Sequence, residues 1–179
     1  MGQADVQQAL RKLARLLDEE GIAYAIAGAM ALNAYGYQRV TVDVDVLLTQ
    51  AGLDAFKAKH LGRGYVADGT GLRDTDHGVD VGVLVAGEYP GDGKPKPVAF
   101  PDPVVATRGG DVALLPLENL VELKLASGLS APHRLKDLAD VLELIRAAAL
   151  RKELSDRLDP SVRAKYLELW TAAQGAPAE

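Results

Sequence analysis

The chain has 179 residues, of which 48% are hydrophobic and 25% are charged, and its formal net charge is −5. This is the composition of an ordinary globular protein, long enough for one domain with a core or for one domain and a small helical appendage. The absence of cysteine excludes disulfides, thiolate metal sites and cysteine nucleophiles, and the negative charge argues against nucleic-acid binding over the whole surface.

The first half of the chain alternates helical and strand patterns. Apolar residues recur at spacings of three and four in the first segment, at Val6, Leu10, Leu13 and Leu17, which predicts an amphipathic helix ending at Gly21. The next predicted elements are a strand at 22–27, a helix at 29–35, a strand at 40–48, a helix capped by Thr49, a loop at 67–78 and a strand at 79–85.

The second half changes from loop and short strands to helix. Prolines and glycines in residues 87–103 predict an exposed excursion. It is followed by predicted strands at 104–107 and 112–115 and by predicted helices at 117–126, 136–150 and 161–173, the last opened by Asp159 and Pro160.

This order of elements predicts an α+β protein: a small mixed β-sheet with helices on one face, followed by a helical C-terminal portion. We expect residues 1–115 to form the core, and residues 116–179 to form a helical portion packed on it. No apolar run approaches the roughly 20 residues of a membrane span, and the N-terminal residues lack a signal-type hydrophobic segment. We therefore expect a cytoplasmic protein without membrane contact.

Two carboxylates on one strand are the most informative feature. Asp43 and Asp45 stand two apart, so their side chains share one face while valines occupy the other. Each carboxylate disfavours ionisation of its neighbour unless a cation neutralises the pair. Asp80 holds the matching position on a second alternating strand, and three such oxygen ligands favour Mg²⁺ or Mn²⁺. The alternative is an edge strand with an ordinary solvated outer face.

A glycine between strand and helix is the second feature. Gly28 follows the apolar strand and precedes the helix, where a missing side chain lets backbone N–H groups approach a phosphate. The same glycine also fits a simple chain turn. Its position fifteen residues before Asp43 makes the combination more informative than either part.

Residues 26–48, IAGAMALNAYGYQRVTVDVDVLL, resemble the signature of the DNA polymerase beta-like nucleotidyltransferase superfamily. That signature is a glycine followed by Gly or Ser, a helix and an Asp-X-Asp or Asp-X-Glu strand. The resemblance implies the nucleotidyltransferase fold, with Asp43, Asp45 and Asp80 as catalytic and metal-binding residues. The chain departs from the pattern at Ala29, which lacks the phosphate-binding hydroxyl of many relatives.

Within that superfamily, two segments look most like the AbiEii-type nucleotidyltransferases. They are the string Arg39-X-Thr41-X-Asp43-X-Asp45 and residues 116–145, PLENLVELKLASGLSAPHRLKDLADVLELI. The resemblance implies that Lys124 contacts the nucleotide triphosphate and that Asp137 is a polar active-site residue. The full set of implied nucleotide-binding residues is Gly28, Ala29, Arg39, Thr41, Lys124 and Asp137.

Structural roles remain open for several of these residues. Arg39 would also fit a simple ion pair with an aspartate, and Asp137 a solvated helix position. Lys124 fits the rim of a core helix, with its aliphatic stem buried and its ammonium in water. Lys136 and Asp140 have the spacing of an ordinary helix-surface pair.

The predicted function is metal-dependent transfer of a nucleoside monophosphate from an NTP to an acceptor hydroxyl. AbiEii-type resemblance suggests a toxin of a toxin–antitoxin or phage-defence pair, acting on RNA such as tRNA or on a protein, with an antitoxin as partner. One alternative is an antibiotic nucleotidyltransferase acting on a small hydroxylated molecule such as an aminoglycoside or lincosamide. Another is a degenerate module that binds a nucleotide or a partner without catalysis.

Overall fold

The computed structural model describes residues 2–175, which divide into two compact units. The first unit comprises residues up to 34 together with 38–86 and 101–116. The second comprises residues 35–37 and 87–100 and the chain from 117 onward. The predicted domain boundary after residue 115, and the packing of the helical portion on the core, stay predictions.

The first unit is built on one mixed sheet. Its helices are α1 (Gln3–Glu19), α2 (Gly28–Ala34) and α3 (Gln50–His60). Its strands are β1 (Tyr24–Ile26), β2 (Asp43–Leu48), β3 (Tyr65–Asp68), β4 (Gly71–Asp74), β5 (Val79–Val85), β6 (Thr107–Gly109) and β7 (Val112–Leu114). Within residues 2–175 these seven strands have the order β3-β4-β5-β2-β1-β7-β6, in which β2 pairs with β5 and β1 with β7 in parallel and the other pairs are antiparallel.

Helices α1 and α3 cover one face of this sheet. The apolar stripe predicted for α1 is fully buried, and on α3 Leu53 and Phe56 are buried. These side chains join Val44 and Val46 of β2 and the valines of β5 in one hydrophobic core. Burial of such side chains stabilises the fold by roughly 1.5–3 kcal/mol each before the entropic cost of ordering the chain. The predicted α+β fold with helices on one face is confirmed.

A buried ion pair ties α1 to the sheet. Asp74 of β4 is fully buried and accepts hydrogen bonds from Lys12 Nζ and from the Asp76 amide, and its other oxygen lies 2.6 Å from His77 Nδ1. Burial raises the pKa of Asp74, but the hydrogen bonds from Lys12, His77 and the Asp76 amide, with the charge of Lys12, together outweigh it and lower that pKa. Lys12 also lies over the Tyr65 ring.

The second unit is helical. It contains α4 (Leu117–Ser130), α5 (Leu135–Ala147) and α6 (Pro160–Gln174), with 3₁₀ turns at Pro132–Arg134 and Lys152–Arg157. As predicted, Asp159 caps α6 by accepting from the Ser161 amide, and Pro160 occupies its first turn. No helix among the described residues is long and apolar enough to cross a membrane.

Three details of the first unit differ from the sequence prediction. The predicted loop at 67–78 contains the hairpin β3–β4, whose two-residue turn begins with Gly69 at φ +55°, a conformation that glycine adopts without strain. Strand β2 begins at Asp43, not at residue 40, because its register with β5 starts there, and Val40 and Val42 are exposed. The strand predicted at 104–107 is largely a 3₁₀ turn, Pro103–Val105, capped by Asp102.

Helix α5 ends earlier than predicted, at Ala147 instead of residue 150. Ala149 adopts φ +49°, and the Ala149 and Leu150 amides donate back to the Arg146 and Ile145 carbonyls. This left-handed end closes the helix. Helix α4 runs four residues beyond its predicted end at Ala126.

Candidate active site

The three predicted aspartates share the sheet face opposite the α1–α3 core. Asp43 of β2 lies directly across from Asp80 of β5 in the parallel register, and Asp45 follows two residues along β2. Asp43 and Asp80 are exposed and Asp45 is half-buried. The alternation of each strand therefore places three carboxylates together on one face, as predicted.

Two glycines make room for the Asp45 carboxylate. A Cβ atom added to Gly28 would overlap Asp45 Oδ2 and lie 2.8 Å from Cγ, and one added to Gly82 would overlap Oδ1. Gly28 also has φ +57°, which disfavours any other residue there. The carboxylate is thus held between the backbone of the β1–α2 junction and that of β5. Only glycine fits on either side.

The two exposed aspartates, Asp43 and Asp80, each have a side-chain partner. Thr41 Oγ1 donates a hydrogen bond to Asp43 Oδ1, and Arg73 of β4 forms an ion pair with Asp80 Oδ1. Arg73 lies directly across from Asp80 in the antiparallel register, so both side chains project from the same face. Thr41 was predicted from the resemblance as a nucleotide contact. Its observed partner is the aspartate itself.

The segment before β2 is fastened to α2 by hydrogen bonds at Asn33. Asn33 accepts a hydrogen bond from the Arg39 amide at 2.6 Å and donates to the Arg39 carbonyl at 3.0 Å. The backbone of Arg39 is therefore positioned by α2. Ala29, at the second residue of α2, is buried. The nucleotide contacts predicted for Gly28, Ala29 and Arg39 stay predictions.

The donor set of this face suits a hard divalent cation. All three side chains offer carboxylate oxygens, two of them on adjacent strands in register, which is the chemistry that Mg²⁺ and Mn²⁺ prefer. Among residues 2–175, however, no group of three or more acidic or histidine side chains is arranged so that it could hold a metal ion. The residues fit the ion by chemistry and register, but the three carboxylates do not converge in this conformation.

In the second unit, Lys124 and Asp137 belong to a network of ion pairs. Lys124 Nζ donates to Asp137 at 2.7 Å and to Asp140 at 2.8 Å, and all three residues are largely buried. Asp137 also accepts from Ser127, and Arg134 lies 3.1 Å from it. Burial raises the pKa of Asp137, but the charge and hydrogen bond of Lys124, the Ser127 hydrogen bond and the charge of Arg134 together outweigh it and lower the pKa of that carboxyl.

This network corrects two interpretations of the helix residues. Asp137 is buried, so it is not a solvated helix position. Among the ion pairs of the described residues, Asp140 pairs with Lys124 on the neighbouring helix, and Lys136 is exposed. A triphosphate contact by Lys124 would require it to give up at least one carboxylate.

We expect Lys124→Met to destabilise the protein by about 3 kcal/mol at pH 7, because it removes the ammonium that bonds Asp137 and Asp140 in a largely buried network. The pKa of Asp137 is lowered in the folded state, so the pair stabilises the fold above about pH 4 and loses its effect as the pH falls through the folded pKa. In the variant, protonation of Asp137 reduces the cost of burying its charge without the ammonium. The difference in unfolding free energy from the wild type should therefore shrink on acidification.

Urea unfolding at pH 7 and at pH 3 measures this difference. Lys136→Met, which removes an exposed lysine from α5, is the matched control and should change stability by less than about 0.5 kcal/mol. An equal loss at both pH values for Lys124→Met would contradict the electrostatic explanation.

Two residues of the aspartate face, Gly82 and Arg73, were not among the predicted site residues. The alternation of the strand predicted at 79–85 does place Gly82 on the face of Asp80, because the two residues stand two apart. The sequence carries no such signal for Arg73, because its segment was predicted as a loop. Only the pairing of β4 with β5 brings its side chain beside Asp80.

No protein-family model matches the chain, and none of the curated proteins matches it by sequence. Solved structures of the antibiotic-resistance factor ANT(2″)-Ia do match. A crystal structure of ANT(2″)-Ia with adenylyl-2″-tobramycin has a TM-score of 0.56 and 13% identity, covering 92% of this chain and 98% of that one. Its solution structure has a TM-score of 0.56 and 15% identity, covering 97% and 99%. At these identities the likeness shows that this chain shares the fold of ANT(2″)-Ia.

Proposed function

We propose that the protein is a metal-dependent nucleotidyltransferase that moves a nucleoside monophosphate from an NTP to a hydroxyl group of a small, positively charged acceptor. The observation that carries the proposal is the in-register placement of Asp43, Asp45 and Asp80 on one open sheet face. The fold shared with ANT(2″)-Ia over nearly the whole of both chains supports it.

Each aspartate has a distinct part in this proposal. Asp43 and Asp45 would hold the divalent ion that accompanies the NTP, with Thr41 orienting Asp43 by its hydrogen bond. When bound, Mg²⁺ or Mn²⁺ would neutralise charge on the phosphoryl oxygens and on the leaving pyrophosphate. Asp80 would help to hold the ion and would accept the proton of the acceptor hydroxyl at a carboxylate oxygen. Catalysis of this kind depends on positioning and charge, which a rigid sheet provides.

Backbone geometry supports a triphosphate beside these carboxylates. Gly28 has no Cβ that would cover the Asp45 carboxylate. It begins helix α2, which also holds the backbone of Arg39 through Asn33. Backbone amides at the Gly28 turn, with the Arg39 side chain, would bind the phosphates. For Lys124 and Asp137 the observed ion pairs support a structural role in the second unit.

Charge favours a cationic small molecule as the acceptor. Asp43 and Asp80 are exposed on the proposed site, and the chain as a whole carries a net charge of −5. Such a field attracts a polyamine-like acceptor and repels RNA. The solved structure of ANT(2″)-Ia contains an adenylylated aminoglycoside, adenylyl-2″-tobramycin, which is consistent with that acceptor class.

The toxin function suggested by the AbiEii-type resemblance, with tRNA or protein as acceptor and an antitoxin as partner, stays a prediction. So does the degenerate module. Nothing at the aspartate face favours either of them over transfer to a small molecule.

The test is an acceptor panel. Purified protein is incubated with each α-labelled NTP and Mg²⁺, together with tobramycin, total cellular RNA or cell-extract protein. Label on the aminoglycoside supports the proposal. Label on RNA or protein would instead support the toxin function, and NTP binding without label on any acceptor would support the degenerate module.

A further inference from the structure

A row of charged side chains crosses three strands of the sheet. Arg73 of β4 lies across from Asp80 of β5, and Asp80 lies across from Asp43 of β2. The signs run positive, negative, negative. On the far side of Arg73 the register places Val66 of β3, which brings no charge to the row. In this row the partner of the Arg73 guanidinium is therefore Asp80.

The Arg73–Asp80 ion pair engages one of the three carboxylates of the proposed metal site. Three carboxylates share a face and two are in register, yet they are not arranged around a common point among the described residues. Arg73 Nη1 bonds Asp80 Oδ1 and so neutralises the third carboxylate. A divalent ion that binds Asp80 through Oδ1 must therefore compete with the Arg73 guanidinium.

The Arg73–Asp80 ion pair is exposed to solvent and therefore weak. More than a third of the Arg73 side chain and more than half of the Asp80 side chain are exposed, at 38% and 56%. Ion pairs at this exposure shift an equilibrium by only about twofold to fivefold. A divalent cation with a bound triphosphate can therefore displace the guanidinium.

We propose that Arg73 is a nucleotide-binding residue with two alternate partners. In the nucleotide-free protein it serves as the counter-cation of Asp80. When the NTP and its ion enter, it releases Asp80 and its guanidinium contacts the triphosphate from the β4 side of the row. This inference rests on the proposed function, since it assigns a place to the same ion and the same NTP.

The first test measures cation binding without nucleotide. Mn²⁺ is titrated into the full-length protein, and free Mn²⁺ is followed by electron paramagnetic resonance. Arg73→Gln should bind Mn²⁺ about fivefold more tightly than the wild type, because Asp80 loses its competing cation. Arg15→Gln, which removes an exposed arginine from α1, has the same net charge and should leave the affinity within twofold. In an Asp80→Asn background, Arg73→Gln should have no effect.

The second test measures nucleotide binding with Mn²⁺ present. Arg73→Gln should weaken NTP binding by about tenfold, since the triphosphate loses charge-assisted hydrogen bonds, and Arg73→Lys should recover part of it. Tighter Mn²⁺ binding together with weaker NTP binding indicates that Arg73 exchanges one partner for the other. A purely structural ion pair would not change the two affinities in opposite directions. Thermal unfolding confirms that each variant is folded.

Unchanged or weaker Mn²⁺ binding by Arg73→Gln, in a wild-type background that transfers nucleotide, would overturn the role of Arg73 and leave the proposed function standing. Unchanged NTP binding would overturn its second partner in the same way. A wild-type protein that binds neither Mn²⁺ nor NTP would overturn both proposals.

Discussion

We expect Asp45→Asn to lower nucleotidyl transfer by about 10²–10³-fold while the protein keeps its fold. Asn has the shape of Asp, so it fits the space between Gly28 and Gly82 without overlap. It lacks the charge that would hold the divalent ion, and loss of one preorganised electrostatic group costs about 10²–10³ in rate. Thermal unfolding of Asp45→Asn should show a cooperative transition, so that the loss of transfer reports on the site and not on the fold.

The measurement is the initial rate of label transfer at saturating NTP, for the wild type, Asp45→Asn and a control. Asp54→Asn makes the same chemical change at an exposed position of α3, on the other side of the sheet, and should retain the wild-type rate. Transfer by Asp45→Asn at the wild-type rate would remove Asp45 from the site.

Gly82→Ala should be nearly as damaging, although it changes no charged group. The new methyl would overlap Asp45 Oδ1, so the carboxylate must leave its position between the glycines or β5 must shift. Overpacking of this kind typically costs about 1–3 kcal/mol of stability. Displacement of a positioned group by about 1 Å costs about 10²-fold in rate. We expect losses of that size in urea unfolding and in the transfer assay.

A double-mutant cycle identifies the cause. In an Asp45→Ala background the overlapping oxygen is gone, and the next nearest atom to the new methyl, the Val44 carbonyl oxygen, is 3.9 Å away. Gly82→Ala should then cost less than about 0.5 kcal/mol. If it costs the same in both backgrounds, the strand itself and not the carboxylate needs the glycine.

Local patterns were sufficient for the elements that carry the aspartates. Strict alternation predicted β5 with its observed bounds and placed Asp43, Asp45 and Asp80 on one face, because side-chain direction in a strand depends only on sequence parity. The apolar stripe of α1 and the caps at Thr49 and Asp159 were likewise local signals.

Features that depend on long-range strand pairing could not be predicted from local sequence patterns. The β3–β4 hairpin has short strands rich in glycine and aspartate, a composition typical of loops, and its only local sign is the turn at Gly69. Asp74 was therefore expected in a loop, although Lys12, 62 residues away in the chain, makes its full burial tolerable. Arg73 was likewise expected in a loop, and only the pairing of β4 with β5 places it beside Asp80.

Lys124 shows how the partner of a charge depends on packing. Its spacing from Asp137 and Asp140 carries no helical periodicity, because the three residues lie on two helices. The antiparallel register of sheet strands cannot be read from alternation either, so neither the ion-pair network nor the Arg73–Asp80 contact was accessible from local patterns.

The most direct test of the proposed nucleotidyl transfer is the stoichiometry of the reaction with an aminoglycoside acceptor. Tobramycin, NTP, Mg²⁺ and the wild-type protein are incubated, the acceptor is analysed by mass spectrometry, and released pyrophosphate is quantified in the same sample. We expect one nucleoside monophosphate added per pyrophosphate released, with both signals lost in Asp45→Asn. Release of inorganic phosphate without acceptor modification, or pyrophosphate release that survives in Asp45→Asn, would contradict it.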